Sequence, residues 1–305
     1  MKNVLKFQVP EKKRVRMIVN TDCKNEADDQ FALAHHLMTP MFDIKGIIAA
    51  HFEVRKDVYG EGKTMLASYD EIMLMLDLME LKDQYKVYKG AAVPMKSESD
   101  PVDSEGARLI IEEAMKEDER PLFVAFLGTI TDLASALLIE PKIEDRLTAI
   151  WIGGGEYPEG GREFNLMQDI HAANVVFSSK VNLWQIPKNV YKMFNVSLAE
   201  LQYRVAPCGK VGEYLFRQMV ELNDALGNAP WPHGETWCIG DQPTVGALLE
   251  DKDRANYTMR PAPRVDSDCH YIPQPQNRKI RVYDTMDVRL TLEDFYAKLA
   301  LFYGD

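Results

Sequence analysis

Apolar positions follow two rhythms along this chain. Short runs rich in β-branched residues end in polar loops, and the loops lead into segments whose apolar residues recur every three or four positions. These are the signatures of buried strands and core-facing helices. Val15, Met17, Ile18 and Val19 predict a first strand, 20–27 a polar loop, and Phe31, Ala32, Leu33, Ala34, Leu37 and Met38 a helix. Asp28 and Asp29 fall in its first turn, where negative charge complements the helix dipole. A turn at Thr39 and Pro40 leads to a second strand over 43–50, and such a strand–helix–strand unit makes a parallel pair. The pattern continues with a helix over 65–79, a short strand over 86–88, a polar loop over 97–103, a helix over 104–116 and an unbroken apolar strand over 121–127. A loop over 128–131 opens a helix over 132–139, and a strand over 147–152 ends in Gly153, Gly154 and Gly155. Beyond it the pattern is less regular, with helices over 209–226 and 243–249, an aromatic loop over 231–237, strands near Tyr257 and over 280–283, and a final amphipathic helix over 292–301.

Strands alternating with helices predict an α/β fold: a doubly wound, mostly parallel central sheet with helices on both faces. The run 121–127 suits a central strand covered on both sides. In such sheets a ligand binds beyond the carboxyl ends of the strands, so the polar clusters 20–29, 51–53, 128–131 and 153–169 are expected to converge. No internal repeat or linker is apparent, and one domain over 1–305 is expected.

Composition narrows the function. With 46% apolar residues the chain can bury a large core, which excludes a disordered scaffold. Its 36 Lys and Arg against 47 Asp and Glu give a net charge of −11, which argues against nucleic acid as a partner. The compact basic run Lys12, Lys13, Arg14 and Arg16 enters the first strand directly and reads as a solvated strand entrance. Cys23, Cys208, Cys238 and Cys269 are widely spaced without a Cys-x-x-Cys pair, as expected of reduced thiols in a cytoplasmic protein. The N-terminus has no apolar signal core, and no segment approaches the roughly 18 apolar residues that span a bilayer, so neither export nor membrane attachment is expected.

The richest chemistry is in the first loop, where Asp22, Glu26, Asp28 and Asp29 place four carboxylates in eight positions. Such a cluster repels itself unless a cation or proton compensates it. Oxygen donors without clustered His or Cys point to a hard ion, Ca²⁺ or Mg²⁺. The alternative is a solvated helix N-terminus in which aspartate is favoured by capping.

Asp22 followed by Asp28, Asp29, Gln30, Phe31, Ala32, Leu33 and Ala34 resembles the N-terminal signature of the nucleoside hydrolases of the inosine-uridine preferring type. Later motifs keep the family's order. Gly128, Thr129, Ile130, Thr131 and Asp132 resemble its Gly-Pro-Leu-Thr-Asn loop, and Gly153 and Gly154 its Met-Gly-Gly turn. Glu163, Phe164 and Asn165 followed by Asp169, Ala172 and Ala173 resemble its Glu-Phe-Asn and Asp-Pro-Glu-Ala-Ala segments. Gly240 and Asp241 stand where the family has His-Asp. The likeness runs from Val15 to about Leu249. It implies a Ca²⁺ ion held by Asp22, Asp29, the carbonyl of Thr131 and Asp241, with Asp22 also the general base, and Asp28, Glu163 and Asn165 on the sugar hydroxyls. It further implies cleavage of the N-glycosidic bond of a nucleoside or riboside through an oxocarbenium-like transition state, which nearby carboxylates stabilise. A homodimer or homotetramer is also expected by resemblance.

The chain departs from the family pattern at several points. The Asp22–Asp28 loop is about two residues longer, which requires Lys24, Asn25 and Glu26 to bulge aside or Glu26 to join the ion, and Asn20 replaces an aspartate. His51 takes the place of a family asparagine that contacts the sugar, so it is a candidate substrate contact. Gly240 replaces the histidine that protonates the departing base, and His233 in the aromatic loop is the candidate substitute. Trp231, Trp237, Tyr157 and Phe164 are candidates to stack on a base, and the glycine-rich 153–161 loop is expected to be mobile. The missing histidine keeps open a calcium-dependent riboside-binding protein with little catalysis; a metal phosphohydrolase is weaker, since no P-loop or basic constellation is present.

Overall fold

The computed structural model describes residues 4–229, 234–251, 253–254 and 256–304. In chain order the strands are β1 (Val15–Thr21), β2 (Phe42–Ala49), β3 (Val87–Lys89), β4 (Leu122–Phe126), β5 (Thr148–Ile152), β6 (Asn182–Ile186), β7 (Asn195–Ser197), β8 (Thr236–Cys238), β9 (Tyr257–Pro261), β10 (Arg264–Val265), β11 (Tyr271–Ile272) and β12 (Lys279–Tyr283). Eight of them form one sheet in the order β3-β2-β1-β4-β5-β6-β12-β9. Every pairing in it is parallel except that of β9 with β12. The doubly wound, mostly parallel sheet expected from the sequence is therefore present.

Strand periodicity divides the core between the two faces. Met17, Val19, Phe123 and Ala125 join one apolar cluster, which also takes in Phe31, Ile72, Leu215 and Phe295. Ile18, Val124 and Phe126 point to the other, with Ile110, Leu133 and Val176. Burial on both faces is why β4 reads as an unbroken apolar run.

After β3 the chain returns to place β4 on the free side of β1. This reversal opens a crevice beyond the carboxyl ends of β1 and β4. Asp22 follows β1 directly, and Leu127 and Gly128 follow β4.

The structure adds elements that the sequence pattern does not predict. β6 and the helix Ile170–Ser178 fill the stretch after the 153–169 loop. In β6 the apolar run is interrupted by Gln185, which is fully buried and donates to Gly153 O and Tyr271 Oη, each at 2.9 Å. A satisfied buried amide costs little but breaks the strand signature. The glycine-rich loop, expected to be mobile, is tied down: Gly161 N donates to Cys269 O at 2.8 Å, and Tyr271 N to Glu159 O at 3.0 Å.

Candidate active site

Asp22 leaves β1 into the crevice and is buried. The loop after β4 packs directly on it, and this requires Gly128, because a Cβ there would collide with the Asp22 carboxylate. Asp28 precedes the helix Asp29–Met38 at its N-cap position, yet its side chain makes no capping hydrogen bond. It reaches across instead to accept from Gly240 N at 2.9 Å. Asp29 is buried and accepts from Thr21 Oγ1. The solvated capping alternative for these residues is thus replaced by a convergent, largely buried cluster.

The facing wall comes from the segment after β5. Glu163 caps the short helix Phe164–Gln168, taking Gly154 N at 2.8 Å and Leu166 N at 2.9 Å on one oxygen, and Asn165 N at 3.1 Å and Tyr191 Oη at 3.0 Å on the other. Asn165 spends its amide hydrogens on Leu127 O at 2.7 Å and Ile152 O at 2.9 Å, which leaves Oδ1 as its remaining polar atom. Asp241 closes the third side. Together Asp22, Asn25, Glu26, Asp28, Asp29, Leu127, Ile152, Glu163, Phe164, Asn165, Tyr191, Gly240 and Asp241 line one pocket.

Burial raises every carboxyl of the acidic cluster in this pocket, and mutual repulsion adds to it at all but Asp28. Burial, then Asp29 and Asp28, hold the Asp22 carboxyl well above the usual range. Asp241 is raised in the same way, by burial and then by Asp28, Asp29 and Asp22. Burial with Asp28 lifts Asp29 to about 7, and burial lifts Asp28 to about 6 against the backbone hydrogen bonds it accepts. Glu26 rises to about 8 through burial and the same two aspartates. No Lys, Arg or His lines the pocket among the described residues.

A hard cation fits this arrangement. Asp28, Asp29 and Asp241 each offer an oxygen, all within 4.8 Å of one another. Beside them Asp22 Oδ2 is buried with no hydrogen-bond partner in the protein. A donor set made only of oxygen matches the hard-ion class.

Of the residues singled out from the sequence, Asp22, Asp28, Asp29, Glu163, Asn165 and Asp241 come together here, with Phe164. Thr131 and His51 do not line the pocket. Thr131 opens the helix Thr131–Ile139, so its carbonyl is directed along that helix, and its hydroxyl donates to Asp169 Oδ2 at 2.8 Å. His51 is fully buried, with Nε2 2.9 Å from Thr131 Oγ1, and burial pushes its pKa down to about 3. Tyr157 packs on Tyr271 with ring centroids 4.7 Å apart, and Trp237 is buried outside the pocket. His233 and Trp231 lie outside the described residues.

Sequence reasoning missed Leu127, which lines the pocket and whose carbonyl accepts from Asn165 Nδ2 at 2.7 Å, and Tyr191, which sits in a stretch without clear periodicity. The expected outward bulge of the longer loop is realised only at Lys24, whose Nζ pairs with Glu71 Oε2 at 3.1 Å; Asn25 and Glu26 turn into the pocket. Tyr191 also accounts for Gly240. A Cβ at 240 would stand 2.9 Å from Tyr191 Cδ2, so the ring takes space that a side chain at 240 would need.

Two further departures explain each other. Asn20 Nδ2 donates to Asp132 Oδ2 at 2.9 Å, while Asp132 Oδ1 accepts from Ala91 N at 2.9 Å and Ser104 Oγ at 2.6 Å. The family pattern has aspartate at the first position and asparagine at the second, so this chain exchanges carboxylate and amide across one hydrogen bond.

A doubly wound sheet with an acidic pocket at its switch point offers oxygen donors for a cation beside a site for a small molecule. A family profile described as Inosine-uridine preferring nucleoside hydrolase matches residues 17–291. The chain belongs to the nucleoside hydrolase family, a family of N-ribosyl hydrolases. It is 30% identical over 99 residues to the inosine-uridine preferring nucleoside hydrolase of Crithidia fasciculata, a match spanning 31% of this chain and 30% of that one. It is 23% identical over 265 residues to the pyrimidine-specific ribonucleoside hydrolase RihA of Salmonella paratyphi A, covering 79% of this chain and 78% of the relative. Among solved structures, a purine-preferring ribonucleoside hydrolase from Gardnerella vaginalis superposes with a TM-score of 0.73 at 20% identity, covering 94% of this chain and 99% of that one. A plant nucleoside hydrolase, PpNRh1, gives 0.74 at 17% identity, covering 93% and 98%. No helix among the described residues is long and apolar enough to cross a membrane.

Proposed function

We propose that this chain hydrolyses the N-glycosidic bond of a nucleoside or related riboside, releasing ribose and free base, with Ca²⁺ as its ion and Asp22 as general base. The observation that carries the proposal is the convergence of Asp22, Asp28, Asp29 and Asp241 with Glu163 and Asn165 in one pocket. The ion is assigned to Asp22, Asp29 and Asp241, with Asp28 close enough to join. Leu127, which lines the pocket, is the better source of a backbone carbonyl than Thr131. When bound, such a cation neutralises the cluster and makes nearby water more acidic.

The residues divide the remaining work. Asp28, Glu163 and Asn165 hold the ribose hydroxyls, with Glu163 kept rigid by the three backbone N–H groups it accepts. As the C1′–N bond breaks, its electron pair leaves with the base and positive charge builds on the ring, which the surrounding carboxylates stabilise. Water adds at C1′ and gives its proton to Asp22, whose Oδ2 has no competing partner. The base then needs a proton. Gly240 cannot supply one, and we assign this role to His233. The family likeness also supports a homodimer or homotetramer, which sedimentation tests.

The deciding experiment is ribose release from a panel of purine and pyrimidine ribosides, with added Ca²⁺ and with excess chelator. Release that the chelator abolishes and that Asp22→Ala loses supports the proposal. Tight riboside binding without release would instead select the binding-protein alternative, which is motivated by Gly240 standing where the family has a histidine.

A further inference from the structure

The longer loop after Asp22 is held in place at several points. Lys24 adopts a φ of 92°, in the left-handed region that a lysine rarely takes. Tyr59 Oη donates to Lys24 O at 3.2 Å, Arg55 Nη1 donates to Asn25 O at 2.8 Å, and Asn25 N donates to Asp22 O at 3.0 Å. All three bonds use the loop's backbone groups, so none depends on the asparagine side chain.

This fixed backbone delivers the Asn25 side chain into the acidic pocket, where the residue is only 6% exposed. Its Oδ1 is buried and has no hydrogen-bond partner in the protein. An amide oxygen removed from water without a donor is destabilising. None of the polar neighbours that line the pocket bonds to it: the Asp22, Glu26 and Asp28 carboxyls make no hydrogen bond to this oxygen, and the Tyr191 hydroxyl is committed to Glu163. A ligand bound in the pocket can supply the missing donor. A sugar hydroxyl or a base N–H supplies one, whereas a phosphate or carboxylate does not.

We infer that Asn25 is a substrate-binding residue that accepts a hydrogen bond from an O–H or N–H group of the riboside, an inference that rests on the hydrolase reading above. The loop insertion is then a recognition element, not a tolerated bulge.

The test is Asn25→Leu, similar in shape but without polar atoms. The expected result is a fall in kcat/KM of about tenfold, carried by KM, with a melting temperature unchanged or raised because the unpaired oxygen is gone. A side chain with a structural role would give the opposite pattern, a lowered melting temperature. Asn25→Ala, which keeps the backbone bonds, repeats the measurement if the leucine does not fit. Ribosides lacking one hydroxyl or the exocyclic amine identify the donor: parent and variant turn over that analogue equally well. Unchanged KM in both variants, a lowered melting temperature in both, or a difference that persists across every analogue overturns the inference. Absence of turnover by the unmutated chain on all ribosides overturns the hydrolase reading itself, and is distinguishable because no variant is involved.

Discussion

The exchange of carboxylate and amide between positions 20 and 132 makes a demanding prediction. Asn20→Asp alone sets a second carboxylate against Asp132 across the present 2.9 Å contact. Both sites are buried, and burial already raises the Asp132 carboxyl. Two buried carboxylates in contact cannot both ionise, and a rise of about three pKa units in one of them corresponds to about 4 kcal/mol at pH 7. A carboxyl whose folded pKa is raised binds more protons when folded than when unfolded, so this cost shrinks as pH falls toward 5 and is largest above pH 7. Asp132→Asn alone turns one amide donor against another at Asn20 and costs about 2 kcal/mol. In the double variant the bond is remade with its direction reversed. The introduced amide donates to the introduced carboxylate, while its oxygen keeps Ala91 N and Ser104 Oγ, which already share the other oxygen of Asp132. Urea unfolding of the parent, both single variants and the double variant at pH 8 and pH 5 measures the cycle. A coupling of at least about 3 kcal/mol at pH 8, smaller at pH 5, is expected. Costs that add to within about 0.5 kcal/mol would refute the pairing.

Three other outcomes follow from the pocket. With folded pKa values of about 6, 7 and 8 at Asp28, Asp29 and Glu26, the chelated protein loses stability as pH rises from about 4 to about 8; melting curves with and without Ca²⁺ should therefore separate as pH increases, and a constant separation would count against ion binding by this cluster. Asp22→Asn, which keeps the shape but removes the base, should lower kcat by about 10²–10⁴-fold with riboside binding retained by calorimetry. His233→Gln should slow purine and pyrimidine ribosides by a similar factor yet leave p-nitrophenyl riboside unaffected, because nitrophenolate departs without a proton; equal losses on both substrates would remove His233 from proton delivery.

The sheet, most of its strands and helices, and six of the acidic and amide residues at the pocket were legible in the chain itself. The reason is physical: a strand buried on both faces must be apolar, an amphipathic helix must repeat every three or four residues, and a loop with four carboxylates is unstable unless something compensates it. β6 was hidden because Gln185 is satisfied by Gly153 and Tyr271, partners 32 and 86 positions away. Other features also needed the tertiary structure. Only packing shows that Gly240 makes room for Tyr191, or that Thr131 faces Asp169 and leaves Leu127 at the acidic cluster. Asn20 and Asp132 lie 112 residues apart, and each reads as an isolated departure until the sheet sets β1 beside β4 and joins them by one hydrogen bond. Local pattern determines which segments become strands and helices, because propensity and periodicity act over a few residues. Which polar groups meet, and which are left without a partner, is decided by contacts between distant segments once the chain has closed around its sheet.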